Sequence, residues 1–261
     1  LLNLIMFSSL IKIPLLKRAV PSLVLKILKI LKKNRGYFKI KDTNMFLDFL
    51  DPIDKKIILD QEYEKLEINY LLNEIKKNKI LHFIDIGANC GYYSIYIANN
   101  ISNITIQAFE PNDDAFLKFK KTLEINPDLK NKINIHNFGL SNKTGKLKMQ
   151  SMIKHGYSQT GGSSVVENNS YENFDVYYAD FKIGDKIINK NQNTIAIKID
   201  VEGHEINVLN GLKNTIANNK IIIQIEIFEI NFQKVNNFLT SLGYKIIFEI
   251  KERSNYFYSK I

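Results

Sequence analysis

The chain has one cysteine, Cys90, in 261 residues. That excludes an intrachain disulfide and a four-cysteine zinc site, and it fits a reducing compartment. No apolar run approaches the ~20 residues that a membrane span needs. Acids are missing from one region altogether. Residues 1–41 carry ten cations and no Asp or Glu, which leaves 26 of the 36 cations against all 27 acids in the rest. The net charge of +9 therefore belongs to an N-terminal arm, and the body is close to neutral. A nucleic-acid enzyme usually carries its basic surface on the folded domain beside the site, so no nucleic-acid partner is expected. The near-neutral body, in a chain that is 45% apolar, is long enough for one substantial core.

The arm is patterned. Pro21–Lys33 reads PSLVLKILKILKK, with Lys26, Lys29 and Lys33 at helical spacing and Val24, Ile27, Leu28 and Leu31 on the other face. Cations interleave with apolar residues, unlike a secretory signal, where charge comes first. A basic amphipathic helix has two uses: peripheral contact with a membrane surface through residues 1–35, or docking on the body with its lysines in water. Both readings stand. The first would hold a cytoplasmic protein at the inner membrane surface. The arm is assigned to residues 1–50 and the body to 51–261, with a junction between Gly36 and Asp60.

The body alternates short apolar runs with amphipathic segments. The runs are Leu81–Ile86, Ile104–Phe109, Ile133–Phe138, Ile195–Ile199 and Ile221–Ile227, and Tyr244–Ile250 and Tyr256–Ile261 read as two closing strands. A helix is expected over Tyr92–Ala98. Another is capped by Asn112 or Asp113 and closed by Pro127. A third carries Ile206, Leu209, Leu212 and Ile216 on one stripe, and a fourth carries Phe232, Val235, Phe238 and Leu239. Such alternation means a parallel sheet covered on both faces, with ligands bound beyond the carboxyl ends of the strands. Residues 146–185 interrupt the pattern with a polar segment, HGYSQTGGSS. They read equally as a surface hairpin or as a lid that shapes the substrate site.

Two stretches carry chemistry. Asp85-Ile86-Gly87-Ala88-Asn89-Cys90-Gly91 joins the first run to the first helix, where small residues admit a ligand and a helix start offers N–H groups. Glu110 follows at the end of the second run, placed to accept both hydroxyls of a ribose. Together they point to a nucleoside-bearing cofactor. The dinucleotide fingerprint G-x-G-x-x-G is absent, because Asn89 stands where its middle glycine would be. A cofactor without phosphate suits this loop better, and S-adenosylmethionine is one.

The second stretch is Lys198-Ile199-Asp200-Val201-Glu202-Gly203-His204-Glu205. An extended chain would point Lys198, Asp200 and Glu202 to one face. A lysine in an apolar strand needs a partner, and Asp200 is the natural one. Glu226, in the fifth run, is expected to face the same crevice. Ionisable groups at this density mark an active site, although Glu202 and Glu205 could simply favour a helix start and His204 could serve a local hydrogen bond. Such acids could also hold Mg²⁺; no metal is assigned. His82, His136 and Cys90 receive no role.

These stretches resemble the FkbM family of S-adenosylmethionine-dependent methyltransferases. The resemblance is carried by DIGANCGYYS (Asp85–Ser94), AFEP (Ala108–Pro111), GLSNKTG (Gly139–Gly145), KIDVEGHEINVLNG (Lys198–Gly211) and Glu226, and it excludes the arm. It implies a Rossmann-like class I methyltransferase fold, a mostly parallel seven-stranded sheet with helices on both faces and its last strand antiparallel. It also implies O-methylation, often of sugars, hence a saccharide or other small-molecule acceptor. On that footing Asp85, Gly87, Asn89 and Gly91 hold the methionine part of S-adenosylmethionine, Glu110 the ribose and Asn137 the adenine edge. Asp200 or His204 is the base, with Glu202 and Glu226 orienting the acceptor. Two alternatives remain: a nicotinamide-dependent oxidoreductase and a non-enzymatic membrane-surface binding module.

Overall fold

A computed structural model describes residues 34–154, 157–166, 173–188 and 193–260. The helix expected over Pro21–Lys33 lies outside the described residues. Among them, no helix is long and apolar enough to cross a membrane.

The first described element corrects the boundary of the arm. Strand β1 (Arg35–Ile40) pairs antiparallel with β2 (Thr43–Asp48), in register from Arg35↔Asp48 to Ile40↔Thr43. Met45 and Leu47 are buried, and the Phe46 N–H donates to Thr122 Oγ1 at 2.9 Å. Residues 35–48 are thus a hairpin on the body and not part of the arm. Their cations hid an alternating strand pattern, because one face of the hairpin is solvated.

Helix α1 (Pro52–Asp60) follows, with Asp51 Oδ1 capping the N–H groups of Ile53 and Asp54 at 3.0 and 3.4 Å and Pro52 in the first turn. Next come α2 (Lys65–Lys77), β3 (His82–Ile86), α3 (Tyr92–Asn100), β4 (Thr105–Phe109) and α4 (Asp113–Glu124). Asn112 caps α4, its Oδ1 accepting from the N–H groups of Asp114 and Ala115 at 3.0 Å. Pro127 does not close α4, which ends at Glu124; it opens the short α5 (Pro127–Lys130), where its fixed φ fits. Strand β5 (Ile133–His136) completes this half.

The interrupting region is a second sheet. It contains β6 (Gly139–Ser141), β7 (Gly145–Lys154), β8 (Tyr157–Ser158), β9 (Ser164–Val165) and β10 (Phe174–Ile183), ordered β6-β10-β7-β8 with β9 on β7, and it leads into α6 (Gly184–Ile187). Then follow β11 (Thr194–Ile199), α7 (Glu205–Gly211), α8 (Lys213–Asn218), β12 (Lys220–Glu226), α9 (Glu229–Ser241), β13 (Tyr244–Ile250) and β14 (Asn255–Lys260). The single helix expected over Ile206–Ile216 is therefore two, broken at Leu212. Gly211 packs there so tightly on the Ser141 backbone that a side chain would collide with it.

The main sheet runs β13-β14-β12-β11-β3-β4-β5. All its neighbours are parallel except those of β14, which runs against β12 and β13. Both faces are covered, and the side chains alternate between two cores. Phe83, Ala196 and Phe257 face the hairpin and α2–α4 side, whereas Ile84, Ile197 and Ile223 face the opposite one. Strand order reverses between β3 and β11, so their carboxyl ends open the crevice.

A buried ion cluster ties the insertion to this frame. Lys118 Nζ on α4 lies 2.7 Å from Asp54 Oδ2, 3.7 Å from Asp51 Oδ2 and 3.1 Å from Thr160 Oγ1. The Thr160 N–H donates to Asp51 Oδ2 at 2.9 Å. Burial drives the Asp54 carboxyl up to about 6 even with Lys118 opposing that shift. Lys118→Ala should leave two buried carboxylates without their cation and cost about 3–5 kcal/mol. Urea unfolding of the full chain measures this, and a loss below about 1 kcal/mol would contradict the assignment.

Candidate active site

The Asp85–Gly91 loop is held mainly by the end of β4. The N–H groups of Gly87 and Ala88 donate to the Phe109 carbonyl at 3.0 and 3.1 Å, and that of Gly91 to the Ala88 carbonyl at 2.8 Å. The Asn89 N–H donates to Glu110 Oε2 at 2.8 Å, and the Asn112 N–H to Glu110 Oε1 at 2.8 Å. The N–H groups of Gly87, Ala88 and Asn89 are therefore spent on the end of β4, and that of Gly91 within the loop. Gly87 turns at φ +77, and a side chain there would strike the Asp200 carbonyl, so the loop must lie against the end of β11. Burial raises the Glu110 carboxyl to about 7, against the two N–H bonds that favour its charge.

At the end of β11, Lys198 is 5% exposed. Its Nζ donates to Asp200 Oδ2 at 3.0 Å and sits 4.7 Å from the centre of the Tyr93 ring. Burial alone would lower this ammonium, but Asp200, Asp85 and Glu64 outweigh burial and hold it above its ordinary value. The expected Lys198–Asp200 pair is present. Glu202, however, does not continue an extended strand. The strand ends at Ile199, and Glu202 (φ +50) and Gly203 (φ +99) form a left-handed turn. Burial, with Asp200 and Glu205 nearby, raises the Glu202 carboxyl to about 7. Glu205 closes this turn, its Oε1 accepting the Gly203 N–H at 2.6 Å.

His204 is neutral. Burial, with the field of Lys143 added, pulls it down to about 4. Its Nδ1 accepts from the Asn207 side-chain amide at 3.2 Å, so in the neutral ring Nε2 carries the proton and donates to Ser141 Oγ at 2.9 Å. Both ring nitrogens thus have a hydrogen-bond partner from the chain.

One cleft of about 610 Å³, counted to its open mouth, gathers much of this set: Gly87, Asn89, Glu110, Asp200, Glu202 and His204. Apolar Ile86, Leu140, Val201 and Phe181 share its wall, and Thr160 to Ser163 of the insertion cover one side. No Lys or Arg is among the described lining residues, while three carboxylates are.

Four expected residues stand outside that lining. Asp85 is fully buried beneath α3, with Oδ2 accepting from Ser94 Oγ at 2.7 Å. Gly91 caps α3 at φ +83 against the Phe119 ring. Asn137 is exposed and gives its amide to Asp113 Oδ1 at 2.7 Å. Glu226 ends β12 beside the cleft, and burial with Asp200, Glu202 and Glu64 lifts it to about 8. Sequence reasoning missed Glu64. Its Oε2 accepts from Tyr93 OH at 2.8 Å, and Tyr93 OH accepts in turn from Gln224 Nε2 at 2.9 Å. Only the tertiary fold brings Glu64 to this place. Among the described residues no group of three or more His, Cys, Asp or Glu is arranged to hold a metal ion.

The strand order and the crevice between β3 and β11 define a Rossmann-like fold of the class I methyltransferase type. The sequence profile of the methyltransferase FkbM domain matches residues 85–246, and the chain belongs to that family. A curated relative, the hexuronic acid methyltransferase AglP of Haloferax volcanii, is 27% identical over 175 residues, 64% of each chain. The solved methyltransferase FkbM from Methylobacillus flagellatus is 16% identical with a TM-score of 0.50, across 69% of this chain and 43% of that one. The chain thus spans under two thirds of the length of either relative.

The raised carboxyls make a pH prediction. A carboxyl lifted to about 8 in the folded chain favours folding at low pH, and the contribution is lost as pH rises through that value. Glu226→Gln should therefore gain stability over the parent at about pH 8.5 and little at about pH 5.5. Urea unfolding at the two pH values tests this; an equal change at both would contradict it.

Proposed function

We propose that this chain is an S-adenosylmethionine-dependent O-methyltransferase acting on a sugar hydroxyl of a glycan, glycolipid or related metabolite. The observation that carries the reading is the lining of the cleft: Glu110, Asp200 and Glu202 with no lining cation, beside a loop in which the N–H groups of Gly87, Ala88, Asn89 and Gly91 are already bonded. A dinucleotide pyrophosphate would find carboxylates in place of donors, which weakens the nicotinamide alternative. A sulfonium cofactor is cationic at its reacting end and has no phosphate. When bound, it supplies an electrophilic methyl group. The name of the Haloferax relative supports a saccharide acceptor.

The chain's own residues divide the work. Gly87 and Asn89 set the backbone wall. Glu110, pinned by two N–H groups, keeps lone pairs for a vicinal diol. Asp200 is the base for the acceptor hydroxyl, because Lys198 fixes one of its oxygens and its side chain lines the cleft. Glu202 and Glu226 orient the acceptor, and His204 positions the Ser141 side of the cleft. Asp85 and Gly91 act by seating α3, and Asn137 by bracing the start of α4. The catalytic body would begin at the β1–β2 hairpin, with Thr160 to Ser163 of the insertion as one wall of the site.

A calorimetric titration with S-adenosylhomocysteine tests the reading directly. Binding is expected, and Glu110→Ala should weaken it roughly 10- to 100-fold by removing charged hydrogen bonds. In the same panel Asp200→Asn should lower turnover about 10²–10⁴-fold and leave that affinity within about tenfold, while His204→Gln loses less turnover than Asp200→Asn. Equal losses from the two would move the base away from Asp200.

The basic arm supports a cytoplasmic location at an anionic inner membrane surface. Deleting residues 1–33 should abolish binding to phosphatidylserine vesicles and spare transfer to a soluble acceptor. Retained vesicle binding would remove the arm from that role.

A further inference from the structure

We propose that Thr160 is a positioning residue for the cofactor: its hydroxyl fixes the Asn89 side chain on the wall of the cleft and so sets how tightly the cleft holds S-adenosylmethionine. The proposal rests on the methyltransferase reading above and adds to it a residue of the insertion that lies outside both chemical stretches of the sequence. Thr160 is 7% exposed, and Thr160 and Asn89 both line the cleft. Lys118 Nζ donates to Thr160 Oγ1 at 3.1 Å. The one proton of that hydroxyl is shared between Asp51 Oδ2 at 2.7 Å and Asn89 Oδ1 at 3.2 Å. The Thr160 N–H also donates to Asp51 Oδ2, at 2.9 Å. Lys118, Asp51 and Asp54 are all buried, so these bonds act away from water, where charge-assisted bonds are strong. Thr160 cannot shift without breaking them. Lys118 is absent from the cleft lining and reaches the cofactor through Thr160.

Asn89 is the residue that needs this hold. It stands at φ +49, a left-handed conformation that asparagine adopts more readily than most residues. Its N–H donates to Glu110 Oε2 at 2.8 Å, which ties its backbone to the carboxylate assigned to the ribose. Among the described residues, its side chain bonds to Thr160. The rest of the turn is engaged elsewhere. A side chain at Gly161 would collide with Ile53, and Gly162 turns at φ +118 in open space. Ser163 Oγ bonds to the Thr160 carbonyl at 3.0 Å, to Ser151 Oγ at 2.6 Å and to Asn112 Nδ2 at 3.3 Å. Without the Thr160 hydroxyl the Asn89 amide turns freely. A cofactor must then order it on binding, a cost that a preformed wall avoids.

The test uses the full chain, titrated calorimetrically with S-adenosylhomocysteine. Thr160→Val keeps the shape and removes the hydroxyl, whereas Thr160→Ser keeps the hydroxyl. Asn89→Gly removes the side chain and suits the left-handed backbone. Thr160→Val should weaken binding about tenfold, the effect of losing one hydrogen bond of this kind, and Thr160→Ser less than about threefold. Asn89→Gly should lose about as much as Thr160→Val, and the double variant little more than either, because both break the same contact. Thr160→Ala replaces the valine variant if the latter shows no cooperative unfolding in urea. Unchanged affinity in the variant without the hydroxyl overturns the proposal. So does a serine variant as weak as the valine one, or losses that multiply in the double variant. Failure of the parent chain to bind S-adenosylhomocysteine, read first, overturns the methyltransferase reading and the proposal with it.

Discussion

The structure is organised around one buried charge. Lys198 sits in the central strand of a parallel sheet, between Asp85 on β3 and Gln224 on β12 in register. An unpaired ammonium there would be prohibitively costly, so its surroundings must answer it. Asp200 answers at the strand end, Asp85 alongside, and the Tyr93 ring from α3 above. Asp85 in turn takes the Ser94 hydroxyl, and Tyr93 links Glu64 to Gln224. Seating α3 on this polar stripe also fixes the loop that precedes it. One of the residues that satisfy the lysine, Asp200, thereby also lines the cleft.

A second buried cluster makes the insertion part of that cleft. Thr160 bonds to Asp51 and Lys118, and its hydroxyl lies 3.2 Å from Asn89 Oδ1. Thr160 is therefore anchored at both the α1 cap and the Asp85–Gly91 loop. Of the two readings open in the sequence, a surface hairpin and a lid, the structure favours neither in its simple form. β7 and β10 do pair antiparallel, and the turn at 160–163 between them is docked against the cleft through Thr160. The site ends up with Asp85, Asp200 and the Tyr93 ring around one buried lysine.

Most of the fold was legible because parallel strands covered on both faces must be apolar throughout. LHFIDI, TIAIKI and IIIQIEI could hardly be anything else, and the polar residues that break such runs, Lys198 and Gln224, proved to be the ones paired beneath α3. The N-terminal hairpin was not legible. Its strands are solvated on one face and share the lysine-rich composition of the arm. The break at Leu212 was also hidden, since periodicity continues across it and only the approach of Gly211 to Ser141 requires it. For the site, the loop, Glu110 and Asp200 were read from local spacing. Asn137 was assigned to the adenine edge on the family resemblance; in the structure its side-chain amide bonds to Asp113. Glu64 lies outside every motif stretch, and no local spacing could connect it to Asp200.

The sequence by itself determined the order of strands and helices, the pairing of Lys198 with Asp200, and the concentration of all excess positive charge in the first 41 residues. These follow from hydrophobic periodicity and from the cost of burying a lone charge, which act within a few residues. Only the tertiary structure decided which polar groups remain free to meet a ligand. It spent the N–H groups of Gly87, Ala88 and Asn89 on Phe109 and Glu110, gave both nitrogens of His204 a partner, and brought Glu64 to Tyr93. The physical reason is that hydrogen-bond satisfaction is a property of the packed environment: a donor or acceptor is available only if no neighbour from elsewhere in the chain has already taken it.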